Sequence, residues 1–404
     1  MQSPPPRILI VGVGSLGGTI AGSLLAFSAD LLTEVVALTS NPAVLAATQA
    51  HGFRLQGIGE PLTAEGAATD VVPEGSGPFD WIILATQPPQ VEEAARSVLP
   101  HLAEDGAMIC LQNGLCEERV AAIAGRHRVI GSVVGWGASS PEPGVFERTS
   151  TGGFTIGRLD GTEDPRLMQL ASLLEVVGPV TITDNLAGAR WSKLAINSAI
   201  STLGTIGGDR LGVLMRYRFV RRVVLEIMTE TVRVAQAEGV RLEKIAGTLD
   251  LEWLALTTEE QATWGSTSLV TKHAMLLAVG TRYRRLRSSM LAAIERGRPP
   301  AVDFLNGEVV CHGARHGIAT PVNAAAAAMV HAIAAGELKS SHELCRTLAE
   351  QVNVWPPLLR QGATRRAVPG ASAPDSDSAP DSDSGSNPDS DSGSNPDSSS
   401  ALHR

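Results

Sequence analysis

The chain has 404 residues, of which 43% are hydrophobic and 19% charged, and its formal net charge is −9. This length and composition predict a globular protein with a sizeable core and two domains. From Ala371 onward the chain carries seven Asp and one Arg, a net charge of −6, which leaves −3 for all preceding residues. A nearly neutral main body excludes the basic surface of a nucleic-acid-binding protein.

The sequence lacks the usual signals for export and membrane insertion. Its start, MQSPPPRILIVG, passes from a proline run into an apolar segment without the charged region and cleavage site of a signal peptide. No apolar run reaches the ~20 residues that a membrane helix needs. We therefore expect a cytoplasmic protein with reduced thiols, because its four cysteines show no CxxC spacing: Cys110, Cys116, Cys311 and Cys345.

Strand-like and helix-like segments alternate in the first part of the chain. RILIVG, at 7–12, is an apolar strand candidate and is followed by the helical run LGGTIAGSLLAF. EVVALT, DWIILA and AMICLQ have the same buried-strand pattern, and the helical patterns PQVEEAARSVLPHL and CEERVAAIAG lie between or after them. This alternation predicts a parallel sheet covered by helices on both faces.

The pattern changes further along the chain. From Val129 to about Ile156 there are short β-like pieces, and VTIT follows one more helix, which predicts the far edge of the sheet. After Asp184 the spacing is helical and includes one long run over 210–239 that Gly239 would end. The Pro-Asp-Ser repeats near the C-terminus contain almost nothing apolar and predict a disordered tail over 363–404.

The turn after the first strand matches G-x-G-x-x-G with Gly12, Val13, Gly14, Ser15, Leu16 and Gly17. The first glycine permits a tight turn, the second lets the backbone approach a pyrophosphate, and the third lets helix and strand pack closely. The pyrophosphate would rest on free N–H groups at the helix N-terminus. We therefore predict an α/β, doubly wound Rossmann-type dinucleotide-binding domain over 1–185, followed by an all-helical substrate and catalytic domain over 186–355.

The tip of the second strand bears on the choice between NAD and NADP. An acidic residue there binds the ribose 2′-hydroxyl of NAD and repels the 2′-phosphate of NADP. This chain has Leu38-Thr39-Ser40-Asn41, without an acid and without an arginine or lysine. The sequence favours NADP and leaves NAD open.

A single lysine stands in the apolar helical segment KLAINSAIS at 193–201. Lys193, Asn197 and Ser201 follow at four-residue steps and so share one helix face. Hydride transfer to a carbonyl carbon leaves negative charge on the oxygen, and a lysine with a burial-lowered pKa could supply the proton. The alternative is a lysine that extends its ammonium to solvent at a domain seam or pairs with a carboxylate.

Several segments, in order, resemble the ketopantoate reductase (2-dehydropantoate 2-reductase) family, and the similarity runs from Arg7 to about Asn323. They are GVGSLG, CLQNG, ARWSKLAINSAI, SSM at 288–290, and the stretch from VDFLNGEVV to HGIATPVN. The resemblance implies a Rossmann domain, a helical domain of the 6-phosphogluconate dehydrogenase C-terminal type, and a cleft where NADPH meets a 2-oxo acid. It implies reduction of 2-dehydropantoate to pantoate, a step of pantothenate biosynthesis.

The same resemblance implies roles for individual residues. Lys193 matches the catalytic acid, and Asn197, Ser201 and Ser289 match substrate-binding positions. Besides the glycine turn, the cofactor-side positions are Ser40, Gln87, Asn113 and Ala138.

Departures from the family pattern leave the substrate open. Ser40 and Gln87 stand where an arginine and a lysine are usual, and Ser201 replaces an asparagine. Other polar positions of the substrate side are replaced by Leu211, Ala293 and Ala301. The alternatives are therefore a related oxidoreductase with a less polar substrate and a non-catalytic dinucleotide sensor.

A metal site is the weaker interpretation of one further pattern. His312 and His316 have metal-ligand spacing, but the sequence offers no third ligand nearby, and reduction by a nicotinamide needs no metal. We expect no metal, no membrane partner and a small-molecule substrate. The sequence leaves a homodimer open.

Overall fold

The structure is a computed structural model that describes residues 5–28, 32, 34–244, 250–263 and 265–355. The predicted disordered tail at 363–404 lies outside the described residues. Within them, no helix is long and apolar enough to cross a membrane. The four cysteines are all free thiols, and only Cys311 is exposed.

The strands of the described chain are, in order, β1 (Arg7–Val11), β2 (Glu34–Leu38), β3 (Phe53–Gly57), β4 (Leu62–Ala64), β5 (Phe79–Leu84), β6 (Leu102–Cys110), β7 (Val129–Val134), β8 (Ala138–Ser139), β9 (Val145–Arg148), β10 (Phe154–Arg158) and β11 (Val180–Ile182). Seven of them form the main sheet in the order β11-β10-β7-β6-β5-β1-β2. Its strands pair in parallel except for the antiparallel pair β7 and β10. The apolar residues of β1, β5 and β6 are nearly all buried, which is typical of a parallel sheet covered on both faces.

The prediction for the segment 129–156 is confirmed only in part. β10 and β11 do form the far edge of the main sheet, but β8 and β9 leave it. They pair instead with β3 and β4 in a four-stranded sheet. This small sheet packs on the first helix because glycines there leave room: a Cβ on Gly18 would lie 2.1 Å from the Phe146 ring.

The helices of the described chain are α1 (Ser15–Phe27), α2 (Pro42–His51), α3 (Val91–Val98), α4 (Glu117–Ala124), α5 (Arg166–Leu174), α6 (Leu186–Gly207), α7 (Leu211–Leu214), α8 (Arg218–Ala237), α9 (Leu251–Leu254), α10 (Thr258–Ala262), α11 (Thr267–Arg282), α12 (Ser289–Glu295), α13 (Asn306–Arg315), α14 (Pro321–Ala334) and α15 (His342–Gln351). Those from α6 onward form the predicted helical part. The α/β fold with a helical C-terminal part is thereby confirmed.

The prediction of one helical run over 210–239 is wrong. The chain breaks between α7 and α8, where Tyr217 is extended and acts as the N-cap residue of α8. Met215, just before the break, packs against Gly280 of α11, where a Cβ would come within 2.5 Å of the Met215 Cβ. The guanidinium of Arg221 satisfies the carbonyl groups of Met215 and Arg216 that the break leaves free.

Helix α6 is the central element of the helical part. Its N-cap Asn185 accepts a hydrogen bond from the Gly188 N–H, and it ends at Gly208, which has a left-handed φ of 70°. It packs against α8, α12, α14 and α15 and also against β7 and β10 of the main sheet. One helix therefore connects the helical core directly to the strands.

The α/β part and the helical part also meet through side chains at a second place. Arg119 of α4 lies 2.5 Å from Glu308 of α13 and stacks over the Phe304 ring. Close by, the Phe304 carbonyl would clash with any Cβ on Gly114, at 2.2 Å. Both parts lie in the same compact unit of the chain.

Candidate active site

The predicted cofactor-side residues lie along one edge of the main sheet. The neighbouring strands β2, β1, β5, β6 and β7 are parallel, so their carboxyl ends share that edge. The residues that follow the first four of these ends are Ser40, the turn Gly12–Gly17, Gln87 and Asn113. This edge is where doubly wound folds bind their ligands.

The glycine turn has the geometry that a bound pyrophosphate needs. Gly12 has a φ of +100°, and Gly17 packs so closely that its Cβ would lie 2.0 Å from the Gly12 carbonyl oxygen. Gly14, the N-cap of α1, has no atom within 4 Å of its Cβ position, and no side chain caps the helix. Open space and free N–H groups at a helix N-terminus fit an anionic dinucleotide phosphate.

The residues at the β2 and β5 ends are exposed and have few contacts. The side chains of Ser40 and Gln87 make no hydrogen bond with the rest of the described chain. Asn41 instead caps α2, because its side-chain oxygen accepts a hydrogen bond from Ala43 N–H at 3.0 Å. The Oδ1 atom of Asn41 is therefore occupied in capping this helix. Asp70 is exposed nearby, next to Thr69, which pairs with Leu38 at the end of β2.

The loop after β6 is anchored by its buried member, Gln112. The Gln112 amide donates hydrogen bonds to the carbonyl groups of Leu84 and Thr86, at 2.9 and 3.3 Å. The next residue, Asn113, is exposed at the sheet edge. Ala138 is half-buried on β8, which packs against α1. The family role that the sequence predicts for Asn113 and Ala138 stays a prediction.

Lys193 reaches the same edge from the helical part. Its side chain is half-buried, and Nζ donates a hydrogen bond of 3.0 Å to the carbonyl oxygen of Val134, the last residue of β7. The pKa of Lys193 is lowered to about 7, chiefly by burial and also by the Arg190 guanidinium, while the Glu117 carboxylate opposes both effects. An amine that titrates near neutrality is suited to general acid catalysis.

The sequence reasoning missed a buried ion pair beside this lysine. Arg190 Nε lies 2.7 Å from Glu117 Oε1, and Arg190 Nη2 donates to Glu117 Oε2 at 2.9 Å. Both side chains are about 95% buried, at 4% and 5% exposure. The signal in the sequence was the spacing, since Arg190 precedes Lys193 by three residues and so lies on the same helix face.

The predicted substrate-side residues are brought only partly together. Asn197 and Ser201 are half-buried on α6 with Lys193, whereas Ser289 is exposed at the first position of α12. Ser288 is the one that contacts α6, because its hydroxyl donates to the Ser201 carbonyl at 2.7 Å. The substrate-binding role of Ser289 stays a prediction.

The segment FLNGE places a polar side chain, that of Asn306, in the core of the helical part. Asn306 is fully buried; its amide donates to Ser198 O at 3.0 Å and to Asn323 Oδ1 at 2.9 Å, and it accepts from the Thr202 hydroxyl. Asn323 in turn donates to Glu230 at 2.7 Å. This network joins α6, α8, α13 and α14.

His312 and His316 share a partner that the sequence did not reveal. Glu238 Oε1 lies 2.5 Å from His312 Nδ1 and 3.1 Å from His316 Nε2. No group of three or more His, Cys, Asp or Glu side chains in the described ranges is arranged to hold a metal ion. Both histidines therefore contact one carboxylate at the end of α8.

Comparison with known proteins gives the same assignment for both parts of the chain. Residues 8–161 match the family described as "Ketopantoate reductase PanE/ApbA", and residues 185–334 match "Ketopantoate reductase PanE/ApbA C terminal". The 2-dehydropantoate 2-reductase of Pyrococcus horikoshii is 26% identical over 319 residues, which cover 78% of this chain and 94% of that protein. The Halobacterium salinarum 2-dehydropantoate 2-reductase is 29% identical over 324 residues, covering 78% and 95%.

A solved structure is also similar over nearly the whole described chain. The crystal structure of 2-dehydropantoate 2-reductase from Geobacter metallireducens superposes with a TM-score of 0.66 at 25% identity. The match covers 80% of this chain and 99% of that protein. The chain therefore belongs to the ketopantoate reductase family and is an oxidoreductase that acts on CH–OH groups.

Proposed function

We propose that the protein reduces a small 2-oxo acid to the 2-hydroxy acid with NADPH, and that its substrate is 2-dehydropantoate, which it converts to pantoate. The observation that carries this proposal is the position of Lys193. Its ammonium group is held at the carboxyl edge of a dinucleotide-binding sheet by the Val134 carbonyl. The relatives named 2-dehydropantoate 2-reductase support the same substrate.

A reduced nicotinamide, when bound at this edge, supplies hydride to the carbonyl carbon of the substrate. Lys193 stabilises the negative charge that develops on the carbonyl oxygen and transfers its proton to that oxygen. Because its pKa is about 7, the amine is partly protonated at neutral pH and can also be reprotonated from solvent. A bound substrate carboxylate favours the ammonium form and raises that pKa.

Asn197 lies one turn along the helix from Lys193, and Ser201 lies one turn further. In this proposal the Asn197 amide and the Ser201 hydroxyl bind the carboxylate or hydroxyl of the substrate and orient its carbonyl toward Lys193. The glycine turn binds the pyrophosphate, and Ser40 and Gln87, which follow the strands on either side of β1, contact the cofactor beside it.

A less polar 2-oxo acid is the second candidate substrate. Leu211 is buried in the core, and Ala293 and Ala301 are half-buried. The family resemblance implies polar groups at these three positions. With these groups absent, fewer polar contacts are offered to the hydroxyl of 2-dehydropantoate, and a hydrophobic site rejects polar analogues only weakly.

The test is steady-state oxidation of NADPH and NADH with 2-dehydropantoate and with a panel of 2-oxo acids that differ in side-chain size and polarity. A kcat/KM for 2-dehydropantoate with NADPH that exceeds every other pair by tenfold or more supports the proposal. Activity confined to an apolar 2-oxo acid supports the second candidate. Cofactor binding without turnover of any 2-oxo acid would contradict both and leave the dinucleotide sensor.

A further inference from the structure

We propose that the buried pair Arg190–Glu117 is the positioning element of the catalytic lysine: it fixes α6 against the carboxyl edge of the sheet, and it places one charge of each sign one helical turn from Lys193. This inference rests on the proposed function in that Lys193 is the proton donor. Neither Arg190 nor Glu117 contacts the reacting atoms in this account, so both act through Lys193 and through the backbone that they hold.

The first support is the set of carbonyl groups that Arg190 binds. Its Nη1 donates to Ser132 O on β7 at 2.8 Å, and its Nη2 donates to Gly114 O in the loop after β6. Lys193, one helical turn further, donates to Val134 O, two residues along the same strand. Two cations on α6 thus bind alternate carbonyl groups of β7, which fixes the helix against the strand in one register.

The second support is that Arg190 also reaches the cofactor side of the site. Gly114 follows Asn113 directly, so a hydrogen bond to Gly114 O restrains the loop on which Asn113 stands. The same guanidinium therefore restrains both the helix of the proton donor and the loop that carries the predicted cofactor-side residue Asn113. A shift of α6 would be expected to disturb both at once.

The third support is that a glycine of β7 leaves space for the Glu117 side chain. Gly131 lies on β7 one residue before Ser132, and a Cβ there would come within 2.5 Å of Leu186 Cδ2 on α6 and within 3.1 Å of Glu117 Oε1. Glu117 is the first residue of α4, where its charge also interacts favourably with the helix dipole. Burial alone raises the pKa of Glu117, and Arg190 opposes that rise.

The charges that act on Lys193 are few. Arg190 on its own helix and Glu117 from α4 act on it, and the strand β7 presents carbonyl groups to its ammonium. The other elements packed against α6 are β10, α7, α8, α12, α14 and α15, and their charged groups, such as Arg158 on β10 and Glu230 on α8, are not among the causes of the lowered Lys193 pKa. Two thiols border Glu117, but burial raises the pKa of Cys116 to about 12 and that of Cys110 well above its usual value, so both are neutral.

Removing one member of the pair should therefore change the pKa of Lys193 in a direction set by the charge that is lost. Glu117→Gln removes a negative charge that favours the ammonium, so the pKa of Lys193 should fall. Arg190→Gln removes a positive charge that disfavours the ammonium, so the pKa should rise. A purely structural role predicts loss of activity without opposite shifts of this kind.

The experiment measures the protonation of Lys193 directly, in the full-length protein. Trace labelling with an amine-reactive anhydride at a series of pH values, quantified by mass spectrometry of the Lys193 peptide, gives its titration midpoint without any turnover. The same variants are assayed for the pH profile of kcat/KM with NADPH. Arg190→Lys keeps the charge, and the double variant Glu117→Gln, Arg190→Gln removes both charges.

We expect the labelling midpoint to move down in Glu117→Gln and up in Arg190→Gln, each by at least about half a pH unit. Arg190→Lys should stay near the original midpoint, and the double variant should fall between the two single variants. Glu226→Gln is the matched control, because Arg222 and Glu226 form a buried pair on α8 at 2.8 Å that does not act on Lys193. It should lower stability and leave the midpoint unchanged.

Shifts of the same sign in both single variants, or no shift in either, would overturn the proposal even if the enzyme is active. The proposed function fails separately, if no 2-oxo acid is reduced by the unmodified protein while the labelling midpoints still move in opposite directions. If Arg190→Gln does not fold, Glu117→Gln and Arg190→Lys still decide the outcome, because a midpoint that does not fall in Glu117→Gln contradicts the assigned charge effect.

Discussion

Lys193 Nζ and the Val134 carbonyl oxygen are 3.0 Å apart, and this hydrogen bond joins the central helix of the helical part to the carboxyl end of β7. A lysine in an apolar helix would otherwise extend its ammonium to water. The strand carbonyl holds it at the sheet edge that also carries the glycine turn. This hydrogen bond therefore connects the helical part to the α/β part of the chain at the place where hydride transfer is proposed.

Replacing Lys193 should abolish most of the turnover. Lys193→Ala is expected to lower kcat by about 10²–10⁴-fold, the usual size of a general-acid effect, with little change in NADPH affinity. Steady-state kinetics and fluorescence titration of NADPH measure the two quantities. The control is Lys272→Ala, which removes a buried lysine paired with Glu260 at 2.5 Å and should lower stability but not the kcat of the folded enzyme. Unimpaired turnover in the Lys193→Ala variant would exclude Lys193 from the mechanism.

The rate of reduction should fall as the pH rises through the pKa of Lys193. Only the ammonium form can donate a proton, and burial lowers the pKa to about 7, so kcat/KM for reduction should decline above about pH 7. The reverse oxidation needs the neutral amine and should rise over the same interval. The profile of kcat should decline at higher pH than that of kcat/KM, since a bound carboxylate raises the pKa. A flat profile between pH 6 and 9, with chemistry rate-limiting, would contradict the assignment.

Two glycines of the turn should respond differently to alanine. Gly14→Ala should fold normally, because nothing lies within 4 Å of the new Cβ, but it should weaken NADPH binding by filling space next to the pyrophosphate. Gly17→Ala should destabilise the fold itself, because its Cβ would lie 2.0 Å from the Gly12 carbonyl oxygen. Thermal unfolding and cofactor titration separate the two effects. Undiminished NADPH affinity in a folded Gly14→Ala variant would argue against a dinucleotide at this turn.

An arginine at the β2 end should sharpen the choice of cofactor. Ser40 is exposed at the strand end where the sequence predicts the 2′-phosphate, so Ser40→Arg should raise the ratio of kcat/KM for NADPH over NADH by about tenfold through a charge-assisted hydrogen bond. Ser40→Gln, similar in length and uncharged, is the control. An unchanged ratio would show that the adenosine end of the cofactor lies elsewhere.

Removing the Asn306 amide should affect stability and spare catalysis. Asn306→Ala leaves Ser198 O and the polar groups of Thr202 and Asn323 without their buried partner, which should lower the free energy of unfolding by about 2–4 kcal/mol. Urea unfolding measures this loss, and the kcat of the folded fraction should be close to that of the unmodified protein. A stable but inactive variant would place Asn306 in the substrate site instead.

Much of the α/β part was predictable because its signals are local. Apolar strands such as β1 and β5, the glycine turn and the N-terminal helix follow from hydrophobic runs and from glycine positions. Their common edge also follows, since parallel strands place their carboxyl ends together. The same local reasoning failed for the run over 210–239, where the helix breaks at a point at which Met215 packs against Gly280, a contact between residues far apart in the sequence.

The sequence by itself determined the family of this protein, the glycine turn, the shared face of Lys193, Asn197 and Ser201, and the helical character of the second part. Only the tertiary structure decided what surrounds the lysine. Val134, whose carbonyl binds the lysine, is 59 residues away from Lys193 in the chain, and Glu117 is 73 residues away from its partner Arg190. Periodicity reports which residues share a face, but the pKa of a buried amine depends on burial and on charges brought near it by folding.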